Sequence, residues 1–226
     1  MKLYSISPFL LQTAVWIPTQ LILLFCGRLE VRGLENLTRV RQGVLFVVNH
    51  TSELDAILIP ACLPFFSRLS PIFYTSRERT FYATSGWRQR FYGGMFFKMW
   101  GAYPVKTGMR NYESSLATHI SLLQDKMSIC IFPEGKKSLD GEIKDAKGGV
   151  AYLCWRTKST IVPVHILGVF KISFADFLLR RRRIKVSFGV PLRSEDLFAR
   201  EPLLSETRDD FKTAADMVMQ SLRTLT

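Results

Sequence analysis

The stretch VVNHTSELDAILIP, residues 47–60, places His50 and Asp55 five positions apart where an apolar run ends. A carboxylate that holds one N–H of an imidazole fixes its tautomer and leaves the other ring nitrogen to take a proton from a hydroxyl. On a single helix, residues five apart point roughly 140° away from each other, so the pair can meet only if His50 precedes the helix. With Thr51 or Ser52 as N-cap, Asp55 falls in the first turn and the loop carrying His50 can fold back over it. No serine or cysteine nucleophile is needed if the hydroxyl belongs to the substrate. The competing reading is structural, because Ser52 and Asp55 also match the S-x-x-D capping box and suffice to start a helix.

A second constellation lies in IFPEGKKS, residues 131–138. A strand ends at Phe132, a Pro-Glu-Gly turn follows, and Lys136, Lys137 and Ser138 offer donors suited to a phosphate. Read blandly, the same residues are a polar turn with Gly135 in a left-handed conformation, followed by a solvated lysine pair.

Both constellations need a scaffold. LEVRGLENL reads as a short strand and a turn, and GVLFVVNH as a strand covered on both faces. A short helix then stops near Pro60 or Pro64, and SPIFYTSRE forms the next strand. YESSLATHISLLQ sets Leu116, Ile120 and Leu123 at helical spacing and leads into the strand of MSICIFPEG. AKGGVAYLCWRTK carries a helix, TIVPVHILG and RRIKVSFGVPL are strands, and a terminal helix covers roughly 205–223. Strands alternating with helices predict an α/β fold with a mostly parallel central sheet flanked by helices. Ligands of such sheets sit beyond the carboxyl ends of strands, where both NHTSELD and FPEG fall.

The 226 residues suit one domain, 29–226, preceded by a membrane-associating helical segment, 1–28. From Leu3 to Gly27 no residue is charged, although Pro8, Pro18, Gln12 and Gln20 interrupt the run. Proline bends a helix axis, so two short helices in the membrane interface are expected here, with an ordinary buried helix as the alternative. A cleaved signal peptide fits poorly, with one leading positive charge and no small-residue cleavage pattern after Cys26. A net charge of +12 favours anionic partners without choosing among them. Between Phe73 and Tyr103, aromatics such as Phe81, Tyr82, Trp87, Phe91, Phe96 and Trp100 interleave with Arg77, Arg79, Arg88, Arg90 and Lys98. That mixture suits core packing, a lipid interface or nucleic-acid stacking. Arg180 to Arg183 form a solvated or lipid-facing basic patch, and no nucleic-acid module surrounds them, so no nucleic-acid partner is expected. The scattered Cys26, Cys62, Cys130 and Cys154 read as reduced thiols, while His119 and His165 read as packing residues; no metal site is expected.

Taken in order, NHTSELD resembles the N-H-x-x-x-x-D motif and FPEGKKS the F-P-E-G-T-R-S motif of the glycerolipid acyltransferase family, the 1-acylglycerol-3-phosphate acyltransferase-like proteins. GAYPVKTG is similar to that family's G-x-x-P-V-x-R block, IVPVHILG to its proline-containing strand, and AKGGVAYLCW to its lysine-glycine helix. The likeness covers residues 29–192. It implies acyl transfer to a lipid hydroxyl at a membrane whose active site faces the cytoplasm. His50 would be the general base and Asp55 its orienting acid. Glu134, Gly135, Lys136, Lys137 and Ser138, with Lys106 and Thr107, would bind the acceptor. No cofactor is implied; acyl-CoA or acyl carrier protein would serve as co-substrate, with membrane lipid as the other partner. Thr107 stands where the family has arginine and Lys137 where it has arginine, which puts the acceptor head group in question. A transacylase that needs no coenzyme A, and a non-catalytic basic module binding membrane or nucleic acid, are the alternatives.

Overall fold

The computed structural model describes residues 2–38, 40, 43–78, 95–106, 109, 111–198 and 207–225. Seven strands form one sheet: β1 (Glu30–Arg32), β2 (Leu45–Val48), β3 (Ile72–Ser76), β4 (Ala102–Pro104), β5 (Ser128–Ile131), β6 (Ile161–Leu167) and β7 (Lys185–Phe188), in the order β1-β7-β6-β2-β5-β3-β4. Every pairing is parallel except β6 with β7. The helices are α1 (Leu3–Ile22), α2 (Asp55–Cys62), α3 (Met95–Trp100), α4 (Tyr112–Gln124), α5 (Gly149–Thr157), α6 (Phe174–Leu178), α7 (Ser194–Phe198) and α8 (Arg208–Arg223). The mostly parallel α/β architecture is as the sequence predicts.

Strand β2 shows why. All four of its side chains are buried, with Phe46 and Val48 in one apolar layer and Leu45 and Val47 in the other. A strand covered on both faces has to be apolar throughout, as a sheet flanked by helices requires. The first layer includes Leu58, Ile59 and Cys62 of α2; the second takes Leu116 and Ile120 of α4, Leu153 of α5, and Phe211 and Val218 of α8. Pro163 sits inside β6 where β7 has just ended, and its carbonyl still accepts Gly189 N–H at 2.8 Å.

The amino-terminal segment departs from expectation. Instead of two short helices, α1 is continuous through Pro8 and Pro18 and runs into a π-helical turn, Leu23–Gly27. Each proline removes one backbone donor, but lateral hydrogen bonds pin the helix to the sheet. Gln12 Oε1 accepts Ile72 N–H at 2.9 Å while its Nε2 donates to the carbonyls of Ile72 at 2.7 Å and Trp100 at 3.0 Å. Trp16 Nε1 donates to Leu63 O at 3.0 Å, and Gln20 Nε2 to Ala61 O. Leu3–Gly27, 25 residues with mean hydropathy 1.7, is long and apolar enough to cross a membrane. Only 11 % of its most apolar stretch is buried.

Candidate active site

Because β2 and β5 are parallel neighbours, the chain leaves both at the same edge of the sheet, bringing NHTSELD beside FPEG. Asn49, the first residue past β2, extends the strand with its side chain: Nδ2 donates to Ile166 O at 2.9 Å and Oδ1 accepts Ile166 N–H at 2.8 Å. That two-way clamp to β6 sets where the next residue, His50, leaves the sheet.

His50 Nδ1 lies 2.9 Å from Asp55 Oδ2. The same oxygen accepts Thr51 N–H at 2.7 Å and Ser52 N–H at 2.8 Å, so the carboxylate is fixed by backbone before it meets the imidazole. Asp55 is fully buried and its Oδ1 has no hydrogen-bond partner among the described residues. An anionic acceptor places the Nδ1 proton between the pair; with 24 % of the ring side chain exposed, Nε2 is the nitrogen left for a substrate. Phe132 stacks on the imidazole, with ring centroids 4.2 Å apart and planes 22° from parallel. Burial and the nearby Asp55 carboxylate push the Cys130 thiol well above its ordinary range, so it stays protonated beneath the site.

Thr51 and Ser52 are not the helix cap. The residue before α2 is Leu54, which supplies no side-chain cap, and Ser52 Oγ accepts Leu54 N–H at 3.2 Å instead. Half of the capping box therefore exists, in the bond from Ser52 N–H to Asp55, and the same carboxylate serves His50. The structural and chemical readings of the motif are two uses of one oxygen.

The FPEG turn is stitched to the His50 loop. Glu134 Oε1 accepts His50 N–H at 3.1 Å and its Oε2 accepts Lys144 N–H at 3.2 Å, while Ser138 N–H donates to His50 O at 2.7 Å. Burial raises the Glu134 carboxyl above its ordinary range, an effect its two backbone donors partly offset. Gly135 has φ +72°, and a Cβ there would meet the Lys147 side chain at 3.0 Å. The Ser138 hydroxyl shares its one proton between Asp140 Oδ1 and Glu142 O and accepts Gly141 N–H, so its donor is committed within its own loop. Lys137 Nζ pairs with Glu53 Oε1 at 2.9 Å, and Lys136 is exposed. Lys106 follows β4, the outermost strand, with β3 and β5 between it and β2. It is therefore about 14 Å of sheet away from the His50 loop. Thr107 lies outside the described residues, as do Arg79, Phe81, Tyr82, Trp87, Arg88, Arg90 and Phe91.

Three neighbours went unassigned in the sequence. Asn49 orients the loop, Lys147 packs beside Gly135, and Arg77 donates from Nε and Nη2 to Gly135 O at 3.0 and 2.6 Å. Arg77 follows β3, so asking what leaves each parallel strand at this edge would have found it.

The chain is 24 % identical over 194 residues to a chloroplast 1-acyl-sn-glycerol-3-phosphate acyltransferase of Arabidopsis thaliana, covering 84 % of this chain and 50 % of that protein. It is 27 % identical over 198 residues to 1-acyl-sn-glycerol-3-phosphate acyltransferase alpha of Homo sapiens, covering 88 % of this chain and 63 % of that one. It thus spans between half and two thirds of the length of these relatives. The fold is similar to the crystal structure of the 1-acyl-sn-glycerophosphate (LPA) acyltransferase PlsC from Thermotoga maritima, with TM-score 0.60 over 95 % of this chain and 78 % of that chain at 15 % identity. A family match described as Acyltransferase spans residues 28–167, from β1 to the end of β6, and so takes in both loops that meet at His50. With more than half its length inside that match, the chain belongs to the glycerolipid acyltransferase family.

Proposed function

We propose that the chain is a membrane-associated O-acyltransferase that moves a fatty acyl group from acyl-CoA or acyl carrier protein thioester to the hydroxyl of a lysophospholipid such as 1-acylglycerol-3-phosphate. The observation that carries this reading is the 2.9 Å contact between His50 Nδ1 and an Asp55 carboxylate already fixed by two backbone donors. His50 Nε2 takes the proton of the acceptor hydroxyl as its oxygen attacks the thioester carbonyl. The tetrahedral intermediate then expels the thiolate, which recovers that proton from the imidazolium, leaving ester and free thiol. Asp55 keeps the ring in the required tautomer and stabilises its cationic form.

Residues 29–226 carry the chemistry and residues 1–28 hold the membrane, with the active site on the cytoplasmic side. The named activities of the relatives support a phosphate-bearing acceptor, for which the exposed Lys136 is a cation on the FPEG loop.

The test is turnover of labelled acyl-CoA by the purified chain against lysolipids of differing head group. His50→Ala and Asp55→Asn should each lower turnover by about 10²–10⁴-fold with the fold intact. Unchanged turnover in both variants removes the proposed base, and product formed without any thioester assigns transacylation instead.

A further inference from the structure

The chain leaves β6 at the same sheet edge as His50 and makes an excursion, residues 168–184, before β7 returns antiparallel. Its two ends are held together: at Gly168, φ +88°, a Cβ would lie 2.0 Å from Arg183 O. Within it, Ile172 and Phe177 point inward and pack on the apolar layer, Phe177 against Gly27 at the end of the π-turn. Val169 and Ile184 are buried as well, whereas three large apolar side chains at its tip point outward: Phe174 is 77 % exposed, Leu178 49 % and Leu179 62 %. Neighbouring Leu24 and Phe25 on the π-turn are exposed as well.

A basic collar surrounds this apolar tip. Arg180 to Arg183 follow α6 directly, and Arg28 and Arg32 approach through the Gly27–Ile184 and Glu30–Arg183 bonds. Against these six cations stand Asp176, paired with Arg181, and Glu30, which Arg32 and Arg183 share. Outward rings and leucines beside a surplus of arginine complement an apolar layer roofed by phosphate anions. A soluble anion would use the arginines and leave Phe174, Leu178 and Leu179 without purpose.

We infer that α6 and the Arg180–Arg183 run form a second membrane-docking element, selective for bilayers containing anionic phospholipid, which presses the His50 edge of the sheet onto the lipid surface. Because its tip adjoins the π-turn that ends α1, the two make one extended attachment at this end of the molecule. This rests on the membrane reading proposed above, but the test below does not require acyl transfer.

Label Phe174→Cys, in a Cys26→Ser background, with an environment-sensitive fluorophore, and add vesicles of phosphatidylcholine alone or mixed with phosphatidylglycerol. Emission should shift to the blue and be quenched by brominated lipid on the mixed vesicles far more than on phosphatidylcholine. Arg180→Gln with Arg181→Gln should lower the preference for anionic vesicles in flotation by about thirty-fold at low salt. A label that stays in water while the chain floats with vesicles overturns the inference. So does an unchanged anionic preference, or a double variant that alters only KM for acyl-CoA or a DNA gel shift. Phe174→Ser with Leu179→Ser should slow turnover of a vesicle-borne acceptor several-fold while sparing a monomeric short-chain one. Loss of turnover on both would count against the docking role, whereas a chain inactive in every form would sink the proposed activity and leave the fluorescence result standing.

Discussion

Helix α8 opens with Thr207, whose hydroxyl accepts Asp210 N–H while the Asp210 carboxylate accepts Thr207 N–H, and it carries Asp209 and Asp210 in its first turn and Arg223 in its last. Helix α1 opens with Lys2, without a side-chain cap, and has no acid in its first turn or base in its last. Along α8, Phe211, Ala214, Ala215, Val218, Met219 and Leu222 are buried in one stripe, whereas α1 buries Ser5, Pro8 and Gln12 and exposes Leu3, Leu10, Ile17 and Leu21. The contrast is in what faces out: α8 turns apolar groups to the protein and charge to water, while α1 buries Ser5 and Gln12 and leaves a row of large apolar side chains exposed. Caps and charges complementing the macrodipole matter where a helix end meets water. Their absence in α1, together with its exposed apolar side chains, supports the membrane role proposed for it.

Truncation separates the two helices most sharply. Phe211→Ala removes a ring packed edge-on against Tyr112, Tyr152 and Trp155 and should cost about 3–5 kcal/mol in denaturant unfolding. Leu10→Ala, at a position 59 % exposed, should stay within about 0.5 kcal/mol while weakening vesicle binding. Equal losses of stability would mean that α1 belongs to the core after all.

On the α8 side of the sheet, α4 hides His119, fully buried and with neither ring nitrogen hydrogen-bonded among the described residues. Burial lowers its pKa to about 4, against a weaker pull from the carbonyls of Tyr103 and Tyr74, which fall short of hydrogen-bond geometry. The unfolded chain takes up this proton near pH 6.5 and the folded one only near 4. Stability is therefore complete above pH 6.5 and falls by about 3 kcal/mol as the pH drops to 4. His119→Leu should remove that part of the pH slope; an unchanged slope would show that the imidazole is solvated.

Much of this layer was legible beforehand, because its pattern is local. Residues 112–124 set Leu116, Ile120 and Leu123 on one face and form α4 as read, and the buried runs of β2 and β5 follow from their unbroken apolar character. The contact between His50 and Asp55 was legible too, since helix geometry forbids it in any other arrangement. The uninterrupted α1 was not, because the groups that hold it through two prolines, Ile72, Trp100, Leu63 and Ala61, are remote in the chain. Asn49 went unassigned for the same reason, since its amide clamps Ile166, more than a hundred residues along the chain. Helix α6 is five residues long, too short for any period to show.

Those remote bonds give the next contrast. Gln12→Leu leaves the buried Ile72 N–H and two carbonyls without partners, which should cost about 1–3 kcal/mol and speed hydrogen exchange at Ile72. The effect should appear as α1 lifting from β3 while α8 keeps its protection. Joint loosening of both helices would mean that α1 is integral to the sheet.

The smallest effect falls on the caps. Thr207→Ala removes the hydroxyl that accepts Asp210 N–H and breaks a capping box at a helix end exposed to water, for about 1 kcal/mol. At the start of α1, Lys2 offers no side-chain cap bond to lose, but its ammonium pairs with Asp125, the residue that ends α4. That pair is exposed and screened by solvent, so Lys2→Ala should barely move the unfolding midpoint in detergent. If both substitutions cost the same, the amino end of α1 is capped through its ion pair and meets water as α8 does. If only Thr207→Ala registers, the first turn of α1 owes nothing measurable to its end groups, as its missing cap implies.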